Sequence, residues 1–222
     1  MNEKEIFNFL TQELNNFKYN NNNLIKSKTG DGRAESTESE HEFCKALKKF
    51  LEQNTDFTAE IAPPRCWYDI AIYYKNFFLP VNIKLTDGKG ADNISSKLGL
   101  FYALTGIDPK NVKNLTHWDV YANALTNNYN DNLEADYYLI VYNKITENIL
   151  LNSLKRINKL VPNGNNLPFQ CNWGILENQV PTSRNLQEQC KYLMNIFIQS
   201  WKKRINFDAF SSLLEWEEYY NE

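Results

Sequence analysis

The sequence predicts a mixed α+β (α/β) fold in which a central mixed sheet is flanked by helices. Three runs rich in β-branched and aromatic residues, at 68–74, 77–85 and 135–143, have strand character, whereas the segments before and after them space their apolar residues as helices do. With 222 residues the chain is long enough for one sizeable domain but short for two. We therefore expect a single domain over residues 1–222.

Two helices are predicted in the N-terminal part of the chain. Apolar residues recur at helical spacing over residues 4–18 and end at a run of asparagines. Thr37 and Glu40 then fit a capping box, which predicts a second helix over residues 38–53. This places Glu40 in the first helical turn on the core-facing side, where it either stabilises the helix dipole or has a functional role.

The middle of the chain is predicted to form an antiparallel hairpin. Its two strands, at 68–74 and 77–85, are separated only by Lys75 and Asn76, which is the length of a tight turn. Downstream we expect, in order, a polar loop over 86–91, a helix over 95–104 ended by Gly106, a strand over 135–143, a strand or helix over 148–157, a short strand over 169–173, and helices over 185–204 and 208–220. The helical part at 180–222 is a candidate dimerisation surface, although Trp201 and its aromatic neighbours would equally suit a monomer core.

Composition limits the classes of partner. A net charge of −3 and a pI near 5.6 argue against a protein that coats nucleic acid or membranes through bulk electrostatics, so DNA binding would need a local basic surface. No apolar run reaches about 18 residues, and residues 1–5 lack the basic start and apolar stretch of a signal peptide. We expect a cytoplasmic protein with no membrane partner.

Cysteine and histidine usage disfavours two further classes of site. The four cysteines are widely spread and show no CxxC spacing, which argues against a structural zinc site. A nucleophile activated by histidine would have to use His41 or His117, and neither has a recognisable catalytic context.

Three polar residues of the predicted hairpin form a candidate site. Asn82 and Lys84 point to the same face of the second strand, because side chains alternate along a strand. The hairpin brings Asp69, in the first strand, beside them. An acid, an amide oxygen and an ammonium that converge in this way can bind a divalent cation, position water and neutralise a phosphate.

This arrangement resembles the PD-(D/E)XK signature of nucleases, whose best-known members are the type II restriction endonucleases. The resemblance covers the expected catalytic core at 37–105, in the order helix acid, aspartate-bearing strand, apolar strand ending in lysine, polar loop and helix. It implies a restriction-endonuclease-like core in which Asp69, Asn82 and Glu40 hold Mg²⁺. Lys84 would be the catalytic lysine that assists the attacking water or the charged phosphate.

Two positions depart from the family pattern. Tyr68 stands where the family often has proline, and Asn82 stands where it has a second acid. The second change removes one negative charge from the metal, although an amide oxygen is still a hard ligand. Glu40 is the expected helix acid, with Glu42 as the alternative.

The polar segment after the second strand is the predicted DNA contact. Glycine permits close approach of the backbone, serine and lysine can contact phosphates, and the amide of Asn93 can read a base edge. The residues assigned to this role are Lys89, Asn93, Ser95, Ser96 and Lys97. In the alternative interpretation, Ser95 or Asp92 caps the following helix and the lysines are solvated.

The resemblance also implies the partners. A type II enzyme would cut double-stranded DNA at a near-palindromic site, and asparagine-rich composition suits an A·T-rich one. A homodimer would place one active centre on each strand. Further candidates for phosphate contacts are Lys155, Arg156, Lys159, Arg184 and the run Lys202-Lys203-Arg204, although such charged residues are more often simply solvated. The alternatives are a non-specific or repair-type nuclease on the same core, and a catalytically silent nucleic-acid-binding module.

Overall fold

The computed structural model describes residues 2–19, 32–95, 97–165 and 167–208. This part of the chain has a mixed α/β fold, as predicted. Its α-helices are α1 (Glu3–Asn16), α2 (Gly32–Asn54), α3 (Lys97–Thr105), α4 (Trp118–Asn128) and α5 (Leu186–Asp208). Its strands are β1 (Thr58–Ile61), β2 (Ile70–Tyr74), β3 (Phe77–Thr86), β4 (Ala91–Ser95), β5 (Tyr138–Asn143), β6 (Ile149–Ser153), β7 (Val161–Pro162) and β8 (Phe169–Asn172).

The strands form two sheets. The central sheet has the order β1-β2-β3-β5-β6, in which β3 and β5 are parallel and the other neighbours are antiparallel. A parallel pair needs a crossover connection, and here the chain between β3 and β5 forms β4, α3 and α4. The second sheet is antiparallel, with the order β4-β8-β7.

Both faces of the central sheet are buried. Val81 and Ile83 of β3 pack with apolar residues of α1 and α2 on one face. Leu139 and Val141 of β5 pack on the other face against α3, α4, α5 and the second sheet. This two-sided burial explains why the central strands are almost continuously apolar. No helix in the described ranges is long and apolar enough to cross a membrane.

The hairpin of β2 and β3 has the predicted two-residue turn at Lys75 and Asn76. Its strands are unequal, because pairing with β2 ends at Val81 while β3 continues to Thr86. The other edge of β3 stays paired with β5 throughout residues 82–86. These five residues therefore have an edge with no strand beside it among the described residues, and we call it the open edge of β3.

Three parts of the fold differ from the sequence prediction. Helix α2 begins at Gly32, so Thr37 and Glu40 lie inside it and the predicted capping box is wrong. Residues 91–95 form β4 instead of ending a loop and starting a helix, and α3 begins only at Lys97. Strand β1 and helix α4 have no counterpart in the prediction.

The C-terminal part is helical as far as it is described. Trp201 of α5 packs against Trp118 of α4, with ring centroids 4.9 Å apart, within the second apolar cluster. Trp201 therefore contributes to monomer packing. The helix predicted at 208–220 and its aromatic residues lie outside the described residues.

Candidate active site

Asp69 lies where the β2–β3 ladder ends. Its backbone N–H makes the last bond of the ladder, to Val81 O at 2.9 Å. Its Oδ2 accepts hydrogen bonds from the backbone N–H of Ile83 at 2.8 Å and from Nδ2 of Asn82 at 2.7 Å. The carboxylate thereby satisfies an N–H on the open edge and is fixed to the strand that carries Asn82 and Lys84.

One atom of Asn82 lacks a partner. Because Nδ2 donates to Asp69, the amide orientation is set: an oxygen in that place would face a carboxylate oxygen. Oδ1 is then left buried, with no hydrogen bond to any described residue. A buried acceptor without a partner costs about 1–3 kcal/mol. A cation bound at Oδ1 would remove that cost.

Glu40 of α2 completes the cluster from the neighbouring helix. Its Oε1 lies 3.8 Å from Nζ of Lys84, and each of the two side chains is 20% exposed. Glu40 lies eight residues into α2, about two turns from its start, so stabilisation of the helix dipole does not explain it. The side chain of Glu42, the alternative helix acid, is 41% exposed and pairs with Lys45 at 2.7 Å. The structure thus brings Glu40, and not Glu42, to Lys84.

Burial dominates the electrostatics of the site. Burial raises the pKa of Asp69, against the opposing effects of the Ile83 hydrogen bond and the Lys84 ammonium. Burial also raises the pKa of the Cys44 thiol, and the charges of Asp69 and Glu40 raise it further. Both carboxylates therefore act on one buried thiol. Cys44 stays protonated, which does not suit a nucleophile.

A cavity of about 400 Å³ gives access to the two acids. Glu40 and His41 of α2 line one side, and the loop from Ala62 to Asp69 lines the other. At about 30 Å³ per water molecule, this volume holds roughly a dozen waters, so it can accept a phosphodiester group together with water. The acids therefore face a space that a substrate can enter.

Sequence reasoning missed Asp92, an acid close to Lys84. Burial raises the pKa of Asp92, whereas a hydrogen bond from Thr86 and the charge of Lys84 lower it. Oδ2 of Asp92 is buried and has no hydrogen-bond partner among the described residues. Asp92 lies in β4, so it does not cap α3 as the alternative interpretation proposed. It supplies a further carboxylate near Lys84.

Tyr137 is a second missed residue, and it supports the loop that leads to Asp69. Its hydroxyl donates to the carbonyl oxygen of Trp67 at 2.8 Å. Burial raises its pKa strongly, with Asp69 adding to the rise and a hydrogen bond with Asn82 opposing it. The periodicity of its strand predicts burial, but nothing local indicates its closeness to Asp69.

The residues predicted to contact DNA have different environments. Lys89 is 81% exposed, with Nζ 3.9 Å from Asp87, and Asn93 is exposed on β4. Lys97 is only 7% exposed: its ammonium donates to the carbonyl oxygen of Thr116 and lies over the Trp118 ring, which disfavours a DNA contact. The side chain of Ser95 and the whole of Ser96 lie outside the described part of the chain.

Three of the other basic candidates, Lys155, Arg156 and Arg184, make internal contacts. Lys155 is 2% exposed, and its ammonium donates to the carbonyl oxygens of residues 133 and 135. Arg156 forms a two-pronged ion pair with Glu3. Arg184 donates to the carbonyl oxygen of Ile157 and stacks on a tyrosine ring. All three side chains therefore support the fold, which disfavours a phosphate contact.

The donor set for a metal contains two acids and one amide: Asp69, Glu40 and Asn82. Within the described ranges, no group of three or more His, Cys, Asp or Glu side chains is arranged to hold a metal ion. The oxygen donors of the three-residue set are nevertheless of the hard type that Mg²⁺ prefers. The unpartnered Oδ1 of Asn82 also fits such an ion.

Comparison with known proteins assigns no family to the chain. It matches no protein-family model and no curated protein.

Proposed function

We propose that this chain is a Mg²⁺-dependent endonuclease of the type II restriction class, which hydrolyses phosphodiester bonds at a specific site in double-stranded DNA. One observation carries the proposal: Asn82 and the Ile83 N–H fix the carboxylate of Asp69 on the open edge of β3. Lys84, on the same strand, pairs there with Glu40 of α2.

Asp69, Asn82 and Glu40 would hold the ion. Mg²⁺ held there would polarise the scissile phosphate and lower the pKa of its bound water. The protein keeps Asp69 in place through two hydrogen bonds to Oδ2, and it keeps Oδ1 of Asn82 out of water. These residues are therefore positioned before substrate arrives, so little reorganisation is needed during the reaction.

Lys84 would stabilise the charge that develops on the phosphate. Its ammonium lies next to Glu40, which limits the orientations of its long side chain. A fixed positive charge beside the reacting phosphate lowers the barrier most when water is excluded. The same ammonium can hold the attacking water as a hydrogen-bond donor.

An amide cluster on the second sheet would read bases. Oδ1 of Asn93 accepts hydrogen bonds from Asn163 Nδ2 at 3.0 Å and from Gln170 Nε2 at 3.2 Å. These side chains belong to neighbouring strands of the second sheet or the adjoining loop, and β4 follows the catalytic strand after a short loop. Paired amide donors and acceptors match the edge of adenine. Recognition of an A·T-containing site by two copies of the chain, one on each strand, follows from this assignment.

Cleavage of a long mixed-sequence duplex tests the proposal. The purified protein is incubated with DNA and Mg²⁺ beside an EDTA control, and the fragment ends are sequenced. We expect discrete fragments with one shared motif. Asp69→Ala and Lys84→Ala should each abolish cleavage, whereas Asp56→Ala and Lys75→Ala, which change an exposed acid and an exposed lysine elsewhere, should leave it intact.

The other outcomes point to different functions. A metal-dependent smear would favour a non-specific or repair-type nuclease on the same residues. Intact DNA, with all proteins folded, would overturn the enzyme assignment and favour a binding module. Cleavage at near-normal rates by the Asp69 or Lys84 variant would overturn the assigned site.

A further inference from the structure

A second cavity, of about 410 Å³, adjoins the cleft that holds Asp69 and Glu40. The two cavities share Arg65 and Cys66 in their walls, so they meet at the turn before Asp69. We propose that this second cavity binds the phosphodiester backbone of the DNA beside the cleavage position, an inference that rests on the proposed function for its choice of nucleic acid.

The charge of the lining is the main support. Arg65, Lys110 and Lys113 line the cavity, together with neutral residues and no carboxylate. The chain as a whole carries a net charge of −3, so this local excess of positive charge opposes the overall balance. Three cations around one cavity repel one another unless an anion lies among them. Duplex DNA supplies such anions in a regular series, about one charge per 1.7 Å of its axis.

The neighbouring groups leave these charges available. Nζ of Lys110 lies 5.8 Å from the centre of the Tyr68 ring, and Tyr68 lines the cavity that holds Asp69 and Glu40. The nearest acid along the chain, Asp108, uses its side chain to accept from the backbone N–H of Lys110 and does not line the cavity. Asn114 and Thr116 add uncharged polar groups to the lining. Such groups commonly contact phosphate oxygens in DNA complexes.

The backbone at Arg65 forms a turn at the wall that the two cavities share. The N–H of Cys66 donates to the carbonyl oxygen of Pro63 at 3.1 Å, so residues 63–66 form a turn. Arg65 occupies the third position with φ of +66°, where glycine or asparagine is usual. Arginine therefore stands in a conformation that glycine would adopt with less strain.

Two charge-matched variants test the proposal. Both replace three cations by glutamine, so they alter the net charge equally. The cavity variant carries Arg65→Gln, Lys110→Gln and Lys113→Gln. The control variant carries Lys4→Gln, Lys49→Gln and Lys75→Gln, which are exposed positions that do not line the cavity.

Binding of a labelled mixed-sequence DNA duplex is measured in EDTA by fluorescence anisotropy, between about 50 and 200 mM salt. The slope of log K against log salt should become shallower by about 0.9 for each lost phosphate contact. Three contacts predict a change of about 2.7 in the slope, and a loss of affinity on the order of tenfold per contact near 0.1 M salt. The control variant should retain the slope of the unmodified protein.

A pair of glycine variants separates binding from folding. Arg65→Gly removes the cation and relieves the backbone, so it should keep the melting temperature while weakening DNA binding. Lys75→Gly makes the same change at another cation with positive φ, +53°, in the hairpin turn. It should keep both the melting temperature and the affinity.

Equal losses in the cavity and control variants would mean bulk electrostatics and would overturn the proposal. Unchanged binding in the cavity variant, or no binding by the unmodified protein, would also overturn it. These results are independent of the cleavage assay, because EDTA prevents metal-dependent hydrolysis. If the unmodified protein cleaves DNA but the cavity variant keeps its salt slope, this inference alone is rejected. If DNA binding depends on the cavity residues but the unmodified protein does not cleave DNA in Mg²⁺, the nuclease assignment alone is rejected.

Discussion

Asn82→Asp should make the folding stability of this protein depend on a divalent cation. The change places a carboxylate oxygen where the amide nitrogen now lies, 2.7 Å from Oδ2 of Asp69. Two unit charges at that distance repel by about 6 kcal/mol, from 332/(20 × 2.7) at an effective dielectric constant of about 20. Without a cation, this repulsion falls entirely on the folded state.

Proton uptake limits the loss. The pair avoids the repulsion by binding one proton, which at pH 7 costs about 4 kcal/mol for an acid whose ordinary pKa is about 3.9. The loss should therefore be no more than about 4 kcal/mol. For a chain of this length that corresponds to a fall of about 8–16 °C in melting temperature. At about pH 5 the same reasoning limits the loss to roughly 1.5 kcal/mol.

The assay is thermal unfolding in EDTA and in Mg²⁺, at both pH values. Mg²⁺ should restore most of the loss in Asn82→Asp, because binding to the folded state alone stabilises it. Asn82→Ala is the control, since it removes the amide without adding charge, and its melting temperature should respond little to Mg²⁺. The reasoning is refuted if Asn82→Asp is as stable as the unmodified protein in EDTA, or if Mg²⁺ leaves its loss unchanged.

Three further changes have defined outcomes. Burial raises the pKa of Asp69 in the folded state, so folding stability falls as pH rises from the unfolded to the folded pKa of this carboxyl. Asp69→Asn should therefore raise the melting temperature in EDTA at pH 7. The increase should become smaller as pH is lowered towards about 4. Asp92→Asn should slow cleavage on the order of tenfold, because groups that support metal ligands commonly have effects of this size, and it should not lower the melting temperature. An unchanged cleavage rate would exclude a role for Asp92. Gly106→Ala should cost at least about 1–2 kcal/mol in urea unfolding, because Gly106 has φ of +68° and a Cβ would lie 2.8 Å from Leu133; an unchanged midpoint would contradict this.

Local pattern was enough to predict the hairpin and the residues that it brings together. A two-residue turn and alternation along β3 require Asn82 and Lys84 to share a face and Asp69 to lie near them. The apolar stripe of α2 likewise placed Glu40 on the side that faces the sheet. Local signals suffice here because neighbouring segments of the chain make these contacts.

Contacts between distant segments determine what was missed. β4 is polar and glycine-flanked, and it is a strand because residues 91–95 pair with β8 far along the chain. The burial of Asp92 follows from that pairing. The Lys97 ammonium packs over the Trp118 ring and is buried, and Trp118 belongs to α4, a helix that the sequence did not predict. The burial of Asp92 and of Lys97 therefore cannot be predicted from the residues next to them in the sequence.

The tight hairpin turn fixes the relative positions of the candidate site residues, although it lies far from them. The five residues of β2 separate Asp69 from Lys75, so the turn begins about 20 Å from Asp69, at roughly 3.3 Å for each of the six residue steps. Exposed turns usually tolerate insertions. An insertion here that shifted the pairing by one residue would turn Asn82 and Lys84 away from Asp69 and towards the apolar cluster that Val81 and Ile83 now occupy. Homologues of this chain should therefore vary in length in their other loops and keep the spacing between Asp69 and Lys84.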